Sequence, residues 1–318
     1  MKAILYLFTG TGNTRLCGDY LAKHLKEQGI ETDVYEYRNG DTDIPNPNDY
    51  DLVGIGYPIH AFNVPEAFVK FIKALPKVEN KNYFIFKVSG EPFPPNNSSS
   101  YHIYRILKKK GYHLIMEKHF LMPYNIMFKY KDELQQPMYL YLDPHATVMA
   151  IRLAKGEVDK IEYNPVHTVW SFFLRIEWIA PKVNAAFLHN DKKTCTNCML
   201  CVNNCPTKSL YVTDKGKIKT TSQCALCMRC SLNCPTNALH MGIFQPWAVR
   251  GGFHYKQLAN DKNNPGTYVN YKTKGYFKLF RKYFLKQNEL LRKYGLEIPV
   301  QYTEENKLEN LKKNKSKN

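Results

Sequence analysis

Eight of the nine cysteines in this 318-residue chain fall in two runs of identical spacing, and that spacing restricts the fold more than any other feature. The first run is Cys195, Cys198, Cys201, Cys205 and Pro206; the second is Cys224, Cys227, Cys230, Cys234 and Pro235. Each reads C-x2-C-x2-C-x3-C-P. Three thiolates two residues apart fold around one iron–sulfur cube, and the fourth, turned away by the proline, reaches the neighbouring cube. Two [4Fe-4S] clusters with crossed ligation are therefore expected. Cys195, Cys198, Cys201 and Cys234 would hold one, and Cys224, Cys227, Cys230 and Cys205 the other. A structural zinc site would use two separated C-x2-C pairs, which leaves the third cysteine and the pre-proline cysteine of each run unexplained. Disulfides need an oxidising compartment, and the apolar run Ala3 to Phe8 leads into a glycine turn rather than a signal-peptide cleavage site.

The residues after each run repeat as well, CPTKSLYV against CPTNALHM, so a half-module is duplicated. Residues 191–243 closely resemble the bacterial two-cluster ferredoxins. The resemblance implies a small α+β domain with pseudo-twofold symmetry that carries single electrons at low potential.

Length suggests about two domains, each with its own core. No uncharged apolar run approaches the roughly eighteen residues of a membrane-spanning helix, and a cytoplasmic, reducing location is expected. The formal charge is +17. Each thiolate-bound cube would subtract about two charges and a bound phosphate more, but the protein stays basic. From Arg250 onward, 16 Lys and Arg face 6 Asp and Glu, so redox partners with acidic surfaces are expected. Only charge speaks for nucleic acid, and no such partner is expected.

The N-terminal half alternates in a different way. Lys2 to Phe8 reads as a buried parallel strand, the turn Thr9-Gly10-Thr11-Gly12-Asn13-Thr14 follows, and Leu16, Tyr20, Leu21 and Leu25 then mark an amphipathic helix stopped by Gly29. Strand, glycine-rich turn and helix together gather backbone N–H groups and a positive dipole end on one anion. The turn lacks the Gly-Lys-Ser/Thr of a Walker loop. It has Arg15 where a dinucleotide fingerprint needs its third glycine. What remains is a hydroxyl-rich loop whose Thr9, Thr11, Asn13 and Thr14 suit a terminal phosphate monoester. Further strands are expected at Thr32–Tyr37, Tyr50–Gly56, Tyr83–Val88 and His113–Leu121. Helices should follow Pro65, span Tyr101–Lys110, and run from an Asp143 N-cap with Pro144 in the first turn to Gly156. Five strands alternating with helices predict an α/β fold, a doubly wound parallel sheet.

The Thr9–Thr14 turn matches the Ser/Thr-x-Thr-Gly-Asn-Thr fingerprint of flavodoxins at every specified position, and here the chain resembles that family, which binds FMN without a covalent bond. The resemblance implies that Thr9, Gly10, Thr11, Gly12, Asn13 and Thr14 hold the phosphate. The flavin ring would lie between the loop carrying Tyr57, Pro58, His60, Phe62 and Asn63 and the loop carrying Ser89, Gly90 and Glu91, with Tyr57 and Phe62 as stacking candidates. Cys17, alone in the first helix, reads as a small buried hydrophobe.

Residues 122–142 read as an aromatic connector that either closes over the flavin or faces the cysteine module. Val166 to Leu188 reads as an interdomain helix that buries Trp170, Phe173 and Trp178 against a module rather than a membrane span. Gly242 to Gly275 is expected to be loop, Tyr276 to Tyr294 a basic amphipathic helix, and Lys312 to Asn318 disordered. In that helix Tyr276, Phe280, Tyr283, Phe284, Leu290 and Leu291 share one face. The face either packs on its own protein, docks an acidic redox partner or touches a membrane surface.

The whole chain resembles flavodoxin–ferredoxin fusion proteins, found mainly in anaerobes. Residues 1–160 would be the FMN domain, 161–190 a linker, 191–243 the ferredoxin domain and 244–318 a basic extension. The resemblance implies an electron carrier linking two clusters and FMN to redox partner proteins. An FMN-dependent oxidoreductase fed by the clusters is the alternative; a scaffold docking through the basic tail is weaker.

Overall fold

A computed structural model describes residues 1–252, 254–261 and 275–300. Five strands, Lys2–Leu7 (β1), Glu31–Glu36 (β2), Leu52–Pro58 (β3), Lys81–Ser89 (β4) and Tyr112–Leu121 (β5), form one sheet in the order β2-β1-β3-β4-β5. Every pair is parallel. Parallel neighbours need crossovers, supplied here by Asn13–Glu27 (α1), Glu66–Ala74 (α2) and Tyr101–Lys108 (α3); Asp132–Leu140 (α4) and Leu142–Ala154 (α5) follow β5. The order reverses between β1 and β3, which opens a crevice beyond their carboxyl ends.

Because side chains alternate along a strand, the sheet divides two cores. Leu5 and Leu7 face Cys17, Leu21, Phe84, Phe86 and Met149 on one side. Ile4, Tyr6 and Phe8 face Val53, Ile55, Tyr57, Phe68 and Ile85 on the other. Cys17 is fully buried among hydrophobic side chains.

Several boundaries differ from expectation. The connector contains a helix, α4, despite Pro137, because Leu134 and Met138 bury themselves against the C-terminal helix. Asp143 is not an N-cap: Tyr141, in helical conformation, precedes α5, and Asp143 lies in its first turn. The segment after residue 164 breaks into Pro165–Phe173 (α6), a 3-10 turn at Leu174–Trp178 and Ala180–Asn184 (α7). It does not bury its aromatic face. Trp170 and Phe173 remain 54% and 68% exposed, because the packed side is polar: Asn63 donates to the Ser171 carbonyl (2.8 Å), and the Ser171 hydroxyl donates to the Phe62 carbonyl (2.8 Å). Trp178 alone of the three packs on the α/β core.

The two cysteine runs lie in a module of four short strands and two one-turn helices. Leu188–Asn190 (β6) pairs antiparallel with Leu239–Met241 (β9), and Leu210–Val212 (β7) with Ile218–Thr220 (β8). The strand after the second run thus pairs with the strand before the first. Leu200–Asn203 (α8) and Arg229–Leu232 (α9) occupy matching places in the two halves. Backbone conformation repeats too: Asn197 and Leu226, Met199 and Met228, and Lys208 and Asn237 all have positive φ.

Residues 242–261 hold a 3-10 turn, Gly242–Trp247, and a short helix, Tyr255–Ala259 (α10), where loop was expected. The last helix, Lys278–Lys293 (α11), buries Phe280, Phe284 and Leu291 against Leu121, Tyr141 and Val148, so its apolar face packs on the α/β domain. The expected disorder of Lys312 to Asn318 lies outside the described residues. Among the described residues, no helix is long and apolar enough to cross a membrane.

Candidate functional site

At the carboxyl ends of β1, β3, β4 and β5 lies a cleft lined by Thr9, Gly10, Thr11, Asn13 and Thr14, by Pro58, Ile59 and His60, by Ser89 and Gly90, and by Met122 to Ile126. Gly12 makes the turn possible: it has φ 113° at the start of α1, a conformation that costs little only without a Cβ. Its N–H donates to the Thr9 hydroxyl (3.1 Å). No acidic side chain sits in the first turn of α1, so the free N–H groups and positive dipole end there suit an anion. Asn13 is buried. Its amide nitrogen donates to the Pro123 carbonyl (2.8 Å), and its Oδ1 has no partner. Such an orphaned acceptor suits a ligand hydroxyl.

The second wall is a tight turn. The backbone N–H groups of His60 and Asn63 each donate to the other's carbonyl, at 2.9 and 2.7 Å, with Ala61 and Phe62 at positive φ. Burial holds the His60 imidazole down to about 4, so it is neutral near pH 7. Tyr57 and Phe62 do not line the cleft: the Tyr57 ring is fully buried in the core with its hydroxyl 3.1 Å from that of Ser99. Period-two alternation already pairs Tyr57 with Val53 and Ile55. Asn63 is likewise turned away and holds α6.

In the third wall, the Ser89 hydroxyl donates to the Glu91 carbonyl (2.8 Å) and meets His119 Nε2 at 2.7 Å. Glu91 points away from the cleft to the Tyr124 and Tyr276 hydroxyls. The aromatic that does reach the cleft is Tyr124. A Cβ on Gly90 would lie 2.5 Å from its ring, so only glycine permits this contact. Met122 to Ile126 of the connector line the cleft, Ile126 also packs against the apolar cluster of the cysteine module, and the Met127 N–H donates to the Trp247 carbonyl (2.9 Å).

The N-terminal half of this chain is a flavodoxin-like domain, and residues 3–122 match a family model described as a flavodoxin domain. No curated protein sequence matches. Among solved structures, a flavodoxin from Streptococcus pneumonia TIGR4 is 17% identical, with 49% of this chain and 99% of that chain covered and a TM-score of 0.36. Oxidised flavodoxin 1 from Bacillus cereus is 16% identical, covering 49% and 98% at a TM-score of 0.35. An NAD(P)H:quinone oxidoreductase from Methanothermobacter marburgensis is 10% identical, covering 47% and 96% at 0.33. A flavodoxin-like domain implies FMN, and the hydroxyl-rich turn, the uncapped helix start and the orphaned Asn13 oxygen fit such a ligand.

The cysteines surround two further cavities. One is lined by Cys224, Cys227 and Cys230 from the second run and by Cys205 from the first. The other is lined by Cys195, Cys198, Cys201 and Cys234. Burial opposes ionisation of Cys205, but hydrogen bonds from Ser209 and Thr207 carry its thiol below the ordinary value. At Cys234 burial is outweighed in the same way, by the backbone N–H groups of Leu239 and Ala238. Among the described residues, no group of three or more His, Cys, Asp or Glu is close enough to hold one metal ion. A four-iron cube places one thiolate on each iron and so needs a wider cage than a single ion does.

The second cage borders the flavin cleft, where Leu226 and Cys227 complete the wall. Arg229 bridges the two sites. Its guanidinium donates to the carbonyls of Gly10 (2.6 Å) and Thr9 (2.8 Å) and pairs with Glu36 (2.8 Å). Beside it, the Asn39 N–H donates to the Pro206 carbonyl (2.8 Å) and the Asn39 amide to Gln223 (2.9 Å).

Proposed function

We propose that residues 191–243 form a ferredoxin-like domain holding two [4Fe-4S] clusters, and that the chain is an electron-transfer flavo-iron–sulfur protein relaying electrons between them, FMN and redox partner proteins. The observation that carries this reading is the composition of the two cavities: each is lined by three cysteines of one run and the pre-proline cysteine of the other. Cys195, Cys198, Cys201 and Cys234 would hold one cluster, and Cys224, Cys227, Cys230 and Cys205 the other. When bound, the clusters supply one-electron transfer and FMN supplies one- or two-electron chemistry.

The chain's own residues hold, separate and insulate these groups. Thr9 to Thr14 bind the phosphate, Tyr124 and Pro58 to His60 wall the ring site, and Ser209 and Thr207 hydrogen-bond the Cys205 sulfur. A neutral His60 adds no charge at the flavin site. The excess of Lys and Arg suits acidic redox proteins as partners. The relay predicts reduction of an added redox protein without turnover of small acceptors; steady turnover of a small acceptor alone would instead establish an FMN-dependent oxidoreductase.

A further inference from the structure

The two halves of the cysteine module share spacing and backbone conformation, yet the one-turn helices begin with residues of opposite character. The first half has Leu200 between Cys198 and Cys201, and the second has Arg229 between Cys227 and Cys230. Leu200 is 43% exposed. Arg229 is instead half-enclosed: one nitrogen donates to the Asn204 carbonyl within the cysteine module (3.3 Å), and its other partners lie on the flavodoxin-like domain, the Thr9 and Gly10 carbonyls and the Glu36 carboxylate. The carbonyl of one residue and the N–H of the next point to opposite sides of a trans peptide. A guanidinium that holds the carbonyls of Thr9 and Gly10 therefore turns the N–H groups of Gly10 and Thr11 to the loop's other side. Thr9, Gly10 and Thr11 line the cleft.

We infer that Arg229 is a positioning residue for the phosphate-binding loop. Through it, the second cysteine cage, on Cys224, Cys227, Cys230 and Cys205, is the neighbour of the flavin site and part of its affinity. This deepens the proposed function and rests on the FMN reading of the cleft. Other contacts of this interface fall on the same cage: Asn39 binds Pro206, next to Cys205, and Gln223, next to Cys224. Cys198, at the far half, is exposed. Coupling between sites is reciprocal, so FMN should in turn stabilise the second cage.

The test is FMN titration, by flavin fluorescence, of anaerobically purified protein from which only flavin has been removed, with iron measured on the same samples. Arg229→Leu, which copies the first half, should weaken FMN binding by about tenfold or more, and Arg229→Lys should recover part of the loss. Cys227→Ala should also weaken FMN binding, and Cys198→Ala should not. An Arg229→Leu affinity within twofold of the parent, or an equal or larger loss in Cys198→Ala than in Cys227→Ala, overturns the inference. Protein that binds FMN but contains no iron would sink the cluster reading alone, and the Arg229 variants would still decide this one.

Discussion

Gly10 and Cys227 approach so closely that a Cβ on Gly10 would lie 2.8 Å from the Cys227 carbonyl oxygen and 2.9 Å from its Cβ. The backbone of the phosphate loop therefore packs directly on a candidate cluster ligand, 217 residues later in the chain. Gly10→Ala should force the two apart at a cost of about 1–3 kcal/mol. Weaker FMN binding together with a lower melting temperature is expected, and unchanged values of both would remove this contact from the account.

The phosphate loop and the cysteine cages should be separable in the other direction. Replacing Gly12 and Asn13 together by Ala removes the left-handed turn and the buried amide. Flavin should be lost while iron content stays near normal, as read by absorbance and metal analysis of the purified variant.

Cys205→Ala should damage the cage of the second run, because the cavity that Cys205 lines otherwise contains Cys224, Cys227 and Cys230. Electron paramagnetic resonance of the reduced variant should show one altered cluster signal. Pairing that variant with Cys224→Ala should add no further loss of a second cluster; loss confined to the first-run cluster would contradict crossed ligation.

Glu177 gives a pH signature. Burial raises its carboxyl to about 8 from an ordinary 4.5, and its Oε1 has no hydrogen-bond partner. Between those values the folded protein holds a proton that the unfolded chain releases, so stability falls as pH rises through this window. Glu177→Gln should flatten the decline in melting temperature between pH 4.5 and 8, and an unchanged slope would count against it.

Phe284→Ala tests the place of the C-terminal helix. The ring is fully buried and packs 5.1 Å from that of Tyr141, so truncation should destabilise the fold by about 3–5 kcal/mol. Denaturant melts would show it. A neutral result would mean that this face is not part of the core.

The strands and the loop chemistry were readable because both rest on local pattern: apolar runs ending in Thr-Gly-Thr-Gly-Asn-Thr specify a buried strand and an anion-binding turn without any tertiary information. Tyr57 shows where resemblance outran pattern, since alternation along β3 already assigns it to the core with Val53 and Ile55. Tyr124 and Asn39 depend on tertiary approach, and only Gly90 hinted that something large lies against that loop. Arg229 had a signal, a charged residue where the first copy of the helix has Leu200, whose meaning requires knowing which half faces the flavin. Trp170 and Phe173 show that apolar composition does not by itself mean burial, since the serine side of that segment makes the contact, to Asn63.

The content of the two cages decides most directly whether this protein is a flavo-iron–sulfur carrier. Anaerobically purified full-length protein should contain about eight irons, a similar amount of acid-labile sulfide and one FMN per chain. One or two zinc ions in place of iron, or flavin with no iron and sulfide, would contradict it.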